Sequence, residues 1–262
     1  MRKTIIAMIL AALLTALALV SGCQVTGLGN IVTEEKDFTD FSRIDVGGIF
    51  EVEIIQAGSF STTISADESF VDYIAVSKEG ETLRIYLNPQ HTFTDFTLGV
   101  KTLKAKIAMP ALDGIRLSGA ARATITGFSS AQDFNLDISG ASSLTLDNIE
   151  VGNTAIVISG ASKITGIMKA ENAAFDVSGA SKVELEGSAE NTVLNASGAS
   201  RVNLADFTLN DANVKLNGAS EATVNAKGRL DAAVSDASTL YFLGNPTTGD
   251  ISVTGASTIK HR

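Results

Sequence analysis

"FDVSGASKVELEG", Phe175 to Gly187, sets two alternating runs on either side of Ser178-Gly179-Ala180-Ser181. Phe175, Val177, Val183 and Leu185 take every second position of their runs, the period of a strand with one buried face. Small residues offer little to pack, and glycine reaches backbone angles closed to other residues, so the group reads as a tight corner. It recurs at Ser118-Gly119-Ala120-Ala121, Ser139-Gly140-Ala141-Ser142, Ser159-Gly160-Ala161-Ser162 and Ser197-Gly198-Ala199-Ser200. Further on come Asn217-Gly218-Ala219-Ser220, Ser235-Asp236-Ala237-Ser238 and Thr254-Gly255-Ala256-Ser257. Successive second positions lie 21, 20, 19, 19, 20, 18 and 19 residues apart, a series that chance does not supply.

Two short strands and a corner are too little chain for a propeller blade, which takes about 40 residues. Period two excludes helical repeats. The remaining solution is an all-β fold, a right-handed parallel β-helix or β-solenoid with about 19–20 residues per coil, each strand pairing with its equivalent one coil away. At ~4.8 Å per strand spacing, one coil per corner makes a rod on the order of 38 Å long. The Ser, Thr and Asn side chains of the corners are expected to stack and to satisfy backbone groups that leave the ladder there.

Upstream, "FSRIDVGGIFEVEIIQAG" alternates cleanly, Gly47-Gly48 and Gly58 mark turns, and "VSKEGETLRIYLN" predicts a hairpin around Glu79-Gly80. No Pro/Ser/Gly-rich run or charge block separates this part from the repeats, which predicts one domain over 37–262 with regular coils from about 111.

The chain opens "MRKTIIAMILAALLTALALVSGCQ". Arg2 and Lys3 precede the apolar run Thr4 to Val20, which falls short of the ~20 residues a membrane span needs and ends in small residues, as a secretion signal does. Val20-Ser21-Gly22-Cys23 resembles a bacterial lipobox, which implies a signal peptide over 1–22, a lipidated Cys23 and a tether over 23–36. Cys23 is the only cysteine, so no intramolecular disulfide forms. By the same resemblance, Gln24 rather than Asp directs the expectation to the outer membrane of a Gram-negative host. Loss of Arg2 and Lys3 takes the formal charge from −9 to −11, which excludes nucleic acid as a partner by electrostatics.

"RIDVGGIFEVEIIQAGS", "KIAMPALDGIRLSGA" and the following SGAS repeats together resemble the auto-transporter adhesin head GIN domain family, from about Phe38 to at least Val224. The resemblance implies a β-helix-like fold in a secreted or surface lipoprotein, and it brings no catalytic residues to carry over. This chain runs longer at its C-terminal side, through the degenerate corners at Ser235 and Thr254.

A search for chemistry returns little. His91 and His261 are isolated and have no cysteine partners, so they predict neither a zinc site nor a catalytic triad. "DESF", 67–70, carries carboxylates that read as a solvated turn rather than a calcium site. A polysaccharide-active β-helix enzyme would need clustered carboxylates on adjacent coils. The outward positions Arg116, Asp137, Val157, Asp176, Asn195 and Lys215 place their aspartates two coils apart, too sparse for that. No catalytic residue, metal or cofactor is expected.

One stripe stands out. The residue after each tetrapeptide is Arg122, Ser143, Lys163, Lys182, Arg201, Glu221, Thr239 or Thr258. Cations stacked ~4.8 Å apart repel unless paired, so Arg122, Lys163, Lys182 and Arg201 are either balanced by Asp176 and Glu184 or form a binding stripe for an anionic glycan or acidic protein. The expectation is a membrane-anchored, non-enzymatic adhesion or ligand-binding module whose partners are the membrane, through Cys23, and a glycan or surface protein. A structural envelope component is the alternative.

Overall fold

The computed structural model describes residues 30–88 and 103–262. Strand makes up 67% of these described residues and helix 3%, and the chain winds as the expected β-solenoid, with about 7 turns rather than one for each of the eight corners.

The regular part runs β10 (Phe134–Ile138), β11 (Ser143–Ile158), β12 (Lys163–Val177), β13 (Lys182–Ala196), β14 (Arg201–Leu216), β15 (Glu221–Ala226), β16 (Arg229–Val234), β17 (Thr239–Leu243), β18 (Thr247–Val253) and β19 (Thr258–His261). Every pairing among them is parallel and joins residues one coil apart: Lys163 with Lys182 and Lys182 with Arg201, Phe175 with Leu194 and Leu194 with Val214. A first face collects the segments that leave a corner, and a second face those that enter it. β11 to β14 each run through the opposite edge of the coil without a break. There Asn172 donates to Asn153 and Asn191 to Asn172, both at 2.8 Å.

Inward positions fill the interior. One coil contributes Ile164, Met168, Ala173, Phe175 and Val177, all at most 3% exposed. Phe175 meets Phe207 edge-on, with ring centroids 6.5 Å apart. Burial of that many large apolar side chains, at about 1.5–3 kcal/mol each, is the main force holding the coils together.

The corners differ from the expectation in one respect. Their backbone groups do not leave the ladder: Ser178 N–H donates to Ile158, Ala180 to Gly160 and Lys182 to Ser162, each one coil back, at 2.9, 2.7 and 2.9 Å. The last serine of each group still reaches a backbone carbonyl in several coils, Ser181 that of Gly160 and Ser238 that of Gly218 at 3.4 Å and Ser220 that of Asn217 at 2.7 Å. It turns inward, 0–2% exposed at Ser142, Ser162, Ser181, Ser200, Ser220 and Ser238. Ser200 bonds Ser220 at 3.3 Å, whereas the Ser142 and Ser162 hydroxyls are buried with no partner.

The N-terminal part holds β1 (Ile31–Lys36), β2 (Arg43–Val46), β3 (Glu51–Gln56), β4 (Ser61–Asp67), β5 (Ile74–Glu79), β6 (Thr82–Leu87), β7 (Leu103–Met109), β8 (Gly114–Leu117) and β9 (Arg122–Thr126). β5 and β6 form the predicted hairpin. β1 pairs antiparallel with β4, so residues 31–36 belong to the sheet and not to the tether. Asp67 caps a 3-10 helix over Glu68–Tyr73 by accepting from Ser69 N–H at 3.1 Å and is only 7% exposed, so this carboxylate of DESF is buried in the turn and not solvated as expected.

The stacking order departs from chain order here. β2 lies between β6 and β8, and β3 between β7 and β9, all parallel. The coil β2–β3 is thus an interior coil, and Gly47-Gly48-Ile49-Phe50 is its corner, stacked beneath Ser118–Ala121. β4 closes this end by pairing antiparallel with β7, and Phe41 packs on Phe60 at 4.8 Å.

Candidate functional site: an outward column of cations and hydroxyls

The register turns the sequence stripe into a physical column on the first face. Arg122 pairs with Ser143, Ser143 with Lys163, Lys163 with Lys182, Lys182 with Arg201, and Arg201 with Glu221. All four predicted cations therefore share one line. The column also continues below Arg122, where Glu51 is its neighbour and Lys104 the next, an extension hidden in sequence by the excursion between β3 and β8.

Pairing divides the column. Lys182 Nζ lies 2.8 Å from Glu184 and Arg201 Nε lies 3.6 Å from Glu221. The hydrogen bond from Lys182 holds the Glu184 carboxyl below its ordinary range, helped by the charges of Lys182 and then Lys163. Lower down, Lys104 lies 3.1 Å from Glu51 and Lys106 2.9 Å from Glu53. Arg122 and Lys163 are both exposed, and among the described residues neither makes an ion pair. Asp176, expected to balance the stripe, stands instead on the second face, between Val157 and Asn195.

Around the two free cations the surface is hydroxyl-rich. Ser143 separates them, and the next outward column carries Thr124, Thr145 and Thr165 in register. Two cations two coils apart, roughly 10 Å, flanked by four hydroxyls, form a flat platform for spaced anionic groups.

The second face carries shallow open grooves. One, of about 550 Å³, is lined by Arg43, Asp45, Gly114, Arg116, Asn135 and Ala155, where outward positions are too small to fill the pleat. Its charges are largely spent: Arg84 lies 3.4 Å from Asp45 and Arg116 3.3 Å from Asp137. The column Arg116, Asp137, Val157, Asp176, Asn195, Lys215 runs along this face as the spacing predicts, with its aspartates two coils apart.

Among the described residues no three His, Cys, Asp or Glu side chains gather as a metal site, and no helix is long and apolar enough to cross a membrane. His261 stacks on Phe242 and its Nε2 lies 2.8 Å from Gly244 O, a terminal packing role. Cys23, the segment before it and His91 lie outside the described residues.

These features define a β-solenoid that displays long register columns and has no concentrated reactive centre among its described residues. The family described as "Putative auto-transporter adhesin, head GIN domain" matches residues 40–246, and the chain belongs to it. Solved structures share the fold. A "putative lipid binding protein" from Parabacteroides distasonis is 20% identical with a TM-score of 0.78, covering 90% of this chain and 98% of its own. A "putative adhesin" from the same organism is 18% identical with a TM-score of 0.79, again over 90% and 98%. A third, a "putative adhesin" from Parabacteroides merdae, is 18% identical with a TM-score of 0.78 over the same shares. No curated protein matches the chain.

Proposed function

We propose that this chain is a non-enzymatic adhesion module of the cell envelope, exported and anchored through acylated Cys23, that binds an anionic glycan on its first face. The observation that carries the reading is the platform of Arg122 and Lys163. They are two unpaired cations in an acidic protein, set among Ser143, Thr124, Thr145 and Thr165, which can bond sugar hydroxyls. Exposed charge of this kind binds through many weak contacts and is screened by salt. Membership of an adhesin-described family and the adhesin names of the solved relatives support the same reading.

The test is a glycan array probed with the chain, beside lyase and hydrolase assays on acidic polysaccharides. Binding to anionic glycans, weakened by salt and lost in an Arg122→Ser/Lys163→Ser variant with unchanged circular dichroism, supports it. Turnover contradicts the non-enzymatic reading, and binding that survives both treatments removes the site from this face. Absence of binding to any glycan favours the structural envelope component. In the producing cell a clickable palmitate should label the chain and not its Cys23→Ser variant.

A further inference from the structure

The two ends of the solenoid are finished differently. At the N-terminal end β1, β4 and β5 run antiparallel to their neighbours and the aromatic rings of Phe41 and Phe60 close the core. At the other end lie β18 and β19, the last of the described strands, and among the described residues nothing pairs with their outer edges. Inward positions show the consequence. Ile251 stacks on Ala232 and Val253 on Val234, whose exposures are 3% and 2%, yet Ile251 is 44% exposed and Val253 47%. Part of this end is covered by its own chain: Arg262 lies over the Tyr241 ring at 3.4 Å and His261 over Phe242. The β18 side is left as a cross-section of core beside an unpaired strand edge. Solenoids need such ends closed, and bare edges recruit other strands.

We propose that a second copy of this chain closes this end, with β18 of each copy pairing antiparallel with β19 of the other. The corner Thr254–Ser257 explains why a copy fits. β18 runs into the corner and β19 runs out of it, so a two-fold axis through the corner lays each strand on the other's counterpart with direction reversed. Both edges are satisfied at once and the two core cross-sections meet, whereas one extended peptide would serve a single edge.

Charge selects the same arrangement. Asp250, on β18, has a fully exposed side chain whose nearest cation is Arg229 at 3.9 Å. Lys260, on β19, is exposed and makes no ion pair among the described residues. Asp250 lies four residues before the corner group and Lys260 three after it, so the two-fold sets them as near neighbours across the pair. Pairing β18 with its own copy would instead bring the two Asp250 carboxylates together. Because the opposite end is already closed, association stops at a two-fold dimer and does not grow into a fibre.

Sedimentation equilibrium of the full chain in detergent tests this. The expected result is a dimer that dissociates on dilution. Asp250→Lys and Lys260→Asp should each weaken it about tenfold, since every dimer contains the contact twice. The double exchange Asp250→Lys/Lys260→Asp should restore it, which a general loss of structure would not do. Ile251→Lys/Val253→Lys should give a monomer with unchanged circular dichroism. A monomer at every concentration up to about 100 µM, or a double exchange weaker than either single change, overturns the proposal.

Discussion

Gly179 shows what a corner demands of one residue. Its φ is +74°, and a Cβ placed there would lie 2.4 Å from the carbonyl oxygen of Gly160 in the coil below. Gly140, Gly160 and Gly198 repeat both features, so the corner column is a stack of left-handed glycines in van der Waals contact. Asp236 is the exception at φ +65°, a conformation Asp tolerates better than most residues, and its carboxylate accepts from the Gly218 N–H at 3.0 Å. Gly58 is the natural control: no atom lies within 4 Å of its would-be Cβ and its φ is not positive. Gly179→Ala should therefore lose more than the about 1–3 kcal/mol of a strained backbone, because the coil below must also shift. Gly58→Ala should be neutral or gain up to about 1 kcal/mol. Urea denaturation of the two variants checks this; equal effects would contradict the corner geometry. The demand for glycine was legible in the sequence because it recurs at fixed spacing. The inward turn of the final serine was not, since a hydroxyl in a corner motif carries no mark of the face it takes.

At the scale of the element, register decides which side chains meet. The stripe from Arg122 to Arg201 could be read directly, because one strand per coil and equal spacing leave one way to align it. The pairs that neutralise half of it were only partly readable. Glu184 lies two residues from Lys182 on the same strand and is legible as a partner, whereas Asp176 lies before the corner, six residues from Lys182, and stands on the other face. The Asn153, Asn172, Asn191 ladder is present as a 19-residue spacing but lies outside the corner tetrapeptides, where single asparagines carry no motif. β16 and β18 give a titratable test of one such junction. Asp231 accepts from the Arg229 guanidinium at 2.7 and 2.8 Å and from the Asp250 N–H at 2.7 Å, which lowers its pKa from 3.8 to about 2. A carboxyl lowered on folding contributes stability that is complete above its unfolded pKa and fades as pH falls through the folded one. The contribution of Asp231 should therefore persist to about pH 3.8 and disappear towards pH 2. A carboxyl NMR titration should give a midpoint near 2, moving up in Arg229→Ala; a wild-type midpoint at or above 3.8 would contradict the junction.

For the whole molecule, the sequence made the solenoid plain but not the order in which its coils stack. Gly47-Gly48-Ile49-Phe50 lacks the serines of the later corners, and its neighbour at Ser118 is separated from it by the excursion through β4 to β7, so the spacing that revealed the other corners is broken there. That excursion wraps outward, pairs back on β2 and β3, and closes one end of the core. It also places Glu51 next to Arg122, which sets the lower limit of the unpaired cation platform. Column order is thus the claim on which both the fold and the proposed binding face rest. A pulsed electron-spin distance between labels at Glu51→Cys and Thr239→Cys, in a Cys23→Ser background, tests it most directly. The register joins these positions by seven coil steps, through Arg122, Ser143, Lys163, Lys182, Arg201 and Glu221. At ~4.8 Å per step the account predicts a distance of about 34 Å. A stack in simple chain order would insert about three further coils and lengthen it by about 14 Å, and a distance near 48 Å would contradict the account.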